Sequence, residues 1–92
     1  MADPCDPIQC NSKGLDYFAA GDPEAADVLL RKAYRNLADE KGILVNLGLA
    51  LMQQGMVDQA ERTYRLALDS DEQRVRRSAA KNLGFLLLWR GD

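Results

Sequence analysis

The sequence predicts an all-α fold built from helix-turn-helix units in antiparallel succession, about five helices in all. Three observations predict it. Residues recur at a fixed interval: Gly14 and Gly48, Gly21 and Gly55, Ala26 and Ala60, and Ala33 and Ala67 are each separated by 34 residues. Tyr17 and Leu51, and Leu30 and Tyr64, keep the same interval with a change of side chain. Apolar residues within each unit follow helical spacing. Gly21-Asp22-Pro23 and Gly55 punctuate the chain where helices should stop and start.

The first helix is expected over Asn11 to Ala20, carrying Gly14, Leu15, Tyr17, Phe18 and Ala19. Gly21-Asp22 is a turn. Pro23 at the first position of the second helix makes Asp22 its N-cap, because the carboxylate can accept an orphan amide hydrogen. Pro23 to Ala38 then places Ala26, Leu29, Leu30, Ala33 and Leu37 on one face. The third helix is expected over Lys41 to Gln54, ended by Gly55. The fourth runs from Val57 to Leu68 with Ala60, Tyr64, Ala67 and Leu68 inward. The fifth runs from about Gln73 to Arg90. There Asn46-Leu47-Gly48 returns as Asn82-Leu83-Gly84, and Gly55 as Gly91, now 36 residues on. About two residues are inserted in the polar stretch from Ser70 to Arg77. The reading is a single domain, 1–92, with repeat 1 at about 7–40, repeat 2 at about 41–74 and a partial repeat 3 at about 75–92.

Gly14, Gly48 and Gly84 each cost about 1 kcal/mol in a helix interior relative to Ala. Glycine repeated at one register implies close approach of a neighbouring helix. Ala26 and Ala60 are expected opposite the first two.

Composition narrows the function. A net charge of -2 does not favour a nucleic-acid partner, and the absence of histidine excludes His-based triads, His zinc sites and histidine pH switches. Ser12, Ser70, Ser78, Thr63 and the two cysteines have no histidine base. No phosphate-cradling Gly-rich loop occurs. No enzymatic activity, cofactor, metal or small-molecule substrate is expected. The first residues lack a signal-peptide pattern, and the longest apolar stretch, Gly84 to Trp89, is too short to span a bilayer. A soluble, cytoplasmic protein is the expectation, without a membrane partner. Cys5 and Cys10 read as two unpaired terminal thiols, with a disulfide or metal clip as the alternative.

The 34-residue unit with its small, large, small positions resembles the tetratricopeptide repeat. In the second unit Leu44, Leu47, Gly48, Leu51, Gly55, Ala60, Tyr64 and Ala67 carry the resemblance. In the first they are Asn11, Lys13, Gly14, Tyr17, Gly21, Ala26, Leu30 and Ala33. In the third only Ala80, Leu83, Gly84, Leu87 and Gly91 are present. The proline usual at the end of the second helix is missing, with Ala38 and Glu72 in its place. The resemblance implies a short right-handed superhelix. Its first helices line a concave face, where members of the family commonly bind a peptide or partner protein.

On that implied face, one row holds Ser12, Asn46 and Asn82. The asparagines resemble a ladder that holds peptide backbone in some members, since an amide offers both donors and an acceptor. The alternative is that each only bonds its neighbouring helix or turn. Apolar rows hold Leu15, Leu49 and Phe85, then Phe18, Met52 and Leu88, with Ala19, Gln53 and Trp89 beside them. They form either an exposed apolar groove or ordinary core between repeats. The basic clamp that some members use for a chaperone's C-terminal carboxylate is not matched. Only Asn46 fits, with Asn11 and Leu15 where a lysine and an asparagine are expected.

The candidate groove residues are therefore Ser12, Phe18, Asn46, Met52, Asn82 and Phe85. The last helix poses a second possibility. Leu83, Phe85, Leu86, Leu87, Leu88 and Trp89 spread apolar groups around most of its circumference, which demands cover on more than one side. Phe85, Leu88 and Trp89 are the candidate association end. The expected function is a protein-interaction module or scaffold. The alternative is an architectural unit joined through this end, as a homo-oligomer or as a fragment of a longer repeat protein.

Overall fold

The computed structural model describes residues 6–37 and 39–91. Five helices follow in order: α1 (Pro7–Ala19), α2 (Pro23–Asn36), α3 (Gly42–Gln53), α4 (Val57–Ala67) and α5 (Gln73–Arg90). Each packs on the one before it. In addition α1 touches α3 and α3 touches α5, whereas the backbones of α2 and α4 stand farther apart, bridged by Arg31 Nη2 donating to Gln59 Oε1 at 3.1 Å. The first helices of the units therefore converge and the second helices splay apart. This curvature makes α1, α3 and α5 the inner wall of a short helical-repeat stack.

Local signals set the helix ends. The first helix starts at Pro7, four residues before the expected Asn11. The cause is a capping box. Asp6 accepts from the Gln9 amide at 2.8 Å, and the Gln9 side chain accepts from the Asp6 amide at 3.2 Å. Asp22 caps α2 as expected, accepting from the Ala25 amide at 3.2 Å. Gly21 and Gly55 take φ of +84° and +78° in the two turns, a region that disfavours side chains. Helix α2 ends at Asn36, short of Ala38, because Leu37 leaves helical geometry at φ -130°. Ala38 itself lies outside the described residues.

The core runs along the seam between the layers. Leu30, Leu51, Tyr64 and Leu86 are its large buried members, interleaved with Ala26, Ala33, Ala50, Ala60, Ala67 and Ala79. A Cβ built on Gly14 would lie 2.8 Å from Leu30 Cγ, and one on Gly48 would lie 2.8 Å from Tyr64 Cδ1. These glycines are sockets for Leu30 and Tyr64, with Ala26 and Ala60 fully buried on the same covering helices. The Ala26 carbonyl only borders the Gly14 socket, at 3.4 Å. Gly84 corrects the third expectation: nothing lies within 4 Å of a Cβ placed there.

Cys10 is buried on α1 and disulfide-bonded. The expectation of an unpaired thiol is corrected at this position, and Cys5 lies outside the described residues. No helix among the described residues is long and apolar enough to cross a membrane.

Candidate functional site

Helices α1, α3 and α5 carry the residues singled out from the sequence. Ser12 is exposed on α1, while Asn46 on α3 and Asn82 on α5 are half-buried. The asparagines do not bond each other or Ser12. Asn46 Nδ2 donates to Asn11 Oδ1 at 3.4 Å, one residue before Ser12, so the lateral link runs from Asn11 to Asn46. Asn82 Nδ2 donates to the Ser78 carbonyl at 2.9 Å, within its own helix. Each amide thus spends an N–H inside the protein. Among the described residues, the Oδ1 of both asparagines accepts no hydrogen bond.

Two shallow clefts flank this link. One, of about 340 Å³, is lined by Ile8, Asn11, Leu37, Glu40 and Ile43. The other, of about 220 Å³, lies between α3 and α5 and is lined by Gly42, Val45, Asn46, Arg74, Val75 and Ser78. Asn11 and Asn46 stand one in each.

The apolar rows divide. Phe18 and Met52 are half-buried and pack against the core. Leu15 is exposed and Leu49 half-buried. Phe85, Leu88 and Trp89 are 63%, 77% and 71% exposed. Helix α5 buries Val75, Ala79, Leu83 and Leu86. Its remaining circumference turns outward, with Arg77, Ala80, Lys81, Gly84, Phe85, Leu88 and Trp89 all exposed.

A polar device was missed from the sequence. Asp27 is buried in α2, where its carboxylate pairs with Arg31 one turn on and accepts from Gln54 Nε2 at 2.9 Å. In the next unit, Glu61 pairs with Arg65 at 2.9 Å and with Arg90 at 2.5 Å. The two triads occupy equivalent positions. Each ties a second helix to the end of the first helix that follows. Their signal lay in the repeat itself, since Asp27 and Arg31 recur as Glu61 and Arg65 after 34 residues, and Gln54 as Arg90 after 36. Burial also pushes the pKa of the Tyr64 phenol up to about 12 from the ordinary 10.0. Both features are structural. No group of three or more His, Cys, Asp or Glu that could hold a metal ion occurs among the described residues.

Comparison with known proteins agrees with this architecture. The family model for the tetratricopeptide repeat matches residues 17–83, well over half of the chain. No curated protein and no solved structure matches it.

Proposed function

Because the chain belongs to the tetratricopeptide repeat family, a non-catalytic scaffold for protein–protein interaction, we propose that it binds an extended peptide segment of a partner along the inner wall of α1, α3 and α5. The observation that carries this reading is the pair of unengaged amide oxygens, Asn46 Oδ1 and Asn82 Oδ1, on adjacent inner helices. Each can accept a backbone N–H from an extended chain, whatever that chain's side chains are. Ser12 continues the row onto α1. Phe85 supplies an exposed apolar contact beside it, and Phe18 and Met52 form the floor. The ladder acts chiefly by accepting, since one N–H of each amide is already engaged and both oxygens are open.

Selection of peptides from a random display library tests this. Peptides that bind the wild type should bind the Asn46→Ala/Asn82→Ala variant about tenfold more weakly, at the scale of one to two lost hydrogen bonds. N-methylation of their backbone should have a similar effect. Equal binding by both proteins would sink the reading, provided circular dichroism shows both folded.

A second reading is favoured by the exposure of Phe85, Leu88 and Trp89 at one end of the stack. In it, the chain is an architectural unit that joins copies of itself through the outward side of α5.

A further inference from the structure

We propose that α5 is self-complementary. A second copy of this chain seats its own α5 antiparallel on the first, with Leu88 of each copy over Gly84 of the other. The proposal rests on the second reading above and gives it a face, a register and a direction.

The fold shows twice what fills a glycine at this register. Leu30 of α2 covers Gly14, and Tyr64 of α4 covers Gly48, each from an antiparallel neighbour. Both covering residues sit in one spacing, Ala26-x3-Leu30-x2-Ala33 and Ala60-x3-Tyr64-x2-Ala67, whose alanines are all buried. The small flanks let the helices approach closely enough for the large side chain to reach the glycine. The end of α5 repeats this spacing as Gly84-x3-Leu88-x2-Gly91. The same helix holds the receiving glycine, Gly84, open on its outward side, and the covering residue, Leu88, at 77% exposure. Socket and covering side chain elsewhere belong to two helices of a pair. Here one helix carries both, so two copies of it complete each other.

A two-fold axis at the level of Leu86 satisfies both contacts at once. It also sets Lys81 of one copy beside the last turn of the other copy's α5. Carbonyl groups there carry the negative end of the helix dipole, and the Arg90 guanidinium of that turn is held by Asp58 and Glu61 of its own copy, so the lysine faces the carbonyls. Parallel pairing would instead set Lys81 against Lys81, and Arg77 against Arg77. Phe85 lies on the flank of the paired face, with Trp89 beyond it.

Sedimentation equilibrium from about 1 to about 500 µM tests the proposal. The wild type should show a monomer–dimer equilibrium. Gly84→Gln is the decisive variant. Its Cβ meets open space in the monomer, and glutamine is the better helix former, so the melting temperature at low concentration should hold or rise. Its dimer constant should weaken by about tenfold or more, because the socket is filled. Leu88→Ala should do the same by removing the covering side chain. Val28→Gln, at an equally exposed site on α2, should leave the dimer unchanged. A wild type that stays monomeric across the range would overturn both the proposal and the reading beneath it. A dimer that survives Gly84→Gln and Leu88→Ala but is lost in Trp89→Ala would overturn the register alone and leave association through α5 standing.

Discussion

At the scale of single residues, three glycines at one register have different energetic meanings. In Gly48→Ala the new methyl group meets the Tyr64 ring, whose neighbours are core residues. Overpacking of this kind costs about 1–3 kcal/mol, and urea unfolding should show that loss as a lower midpoint at unchanged slope. Gly84→Ala should stabilise the monomer by up to about 1 kcal/mol, because the added methyl meets nothing. Tyr64 adds a pH dependence. Its folded pKa is raised to about 12 by burial, above the ordinary 10.0. The folded state therefore keeps a proton that the unfolded state loses between those values. Its contribution is complete below pH 10 and disappears as the pH rises through 12. Tyr64→Phe should flatten this part of the alkaline stability profile, measured by denaturant titration at stepped pH. An unchanged alkaline slope would exclude Tyr64 as its source.

At the scale of elements, each helix is held by a local device and by a tie to the next. Asp22 caps α2, and Asp22→Ala should cost about 1 kcal/mol of stability, read from the shift of the urea midpoint. The Asp27, Arg31 and Gln54 triad binds α2 to the end of α3, and Glu61, Arg65 and Arg90 bind α4 to the end of α5. Burial separates the two. Asp27 is 8% exposed and its carboxylate is held by both Arg31 and Gln54, so Asp27→Ala removes two partly buried, charge-assisted bonds and should cost about 1–3 kcal/mol, even though Gln54 Nε2 keeps the Ala50 carbonyl. Glu61 and Arg90 are wetter, and Glu61→Ala should cost less than 1 kcal/mol. Equal losses in the two variants would contradict this ranking.

At the scale of the whole molecule, the stack measures 44 × 29 × 18 Å and exposes 5794 Å². A compact protein of this mass would expose about 5,300 Å². The excess is the geometric consequence of stacking in one direction, where each helix meets only near neighbours in sequence. Stability should be graded accordingly. Helix α3 packs against α1, α2, α4 and α5 and buries Ile43, Leu44, Val45, Leu47, Ala50 and Leu51. Its amides should exchange with solvent most slowly, while α1 and α5, each covered from one direction, should exchange faster. Uniform protection across the five helices would show a fully cooperative unit instead.

The sequence by itself determined the number of helices, their order and the turns between them. These depend on interactions within a few residues: the Asp22 cap, the positive-φ glycines and the 34-residue period that repeats one hairpin. It also marked the register of Gly14 and Gly48, because a glycine inside a helix is a local cost that needs a reason. The tertiary structure alone decided what filled that register. Leu30 and Tyr64 reach their glycines only through the crossing of two helices, and nothing reaches Gly84. The inner wall divides for the same reason. The sequence favours Phe18 over Leu15 as a groove residue, yet Phe18 packs on the core and Leu15 stays exposed. The asparagine row was legible as a row, but not the direction of its hydrogen bonds. That depended on the distance from Asn46 to Asn11 across two helices, which no spacing along one chain encodes.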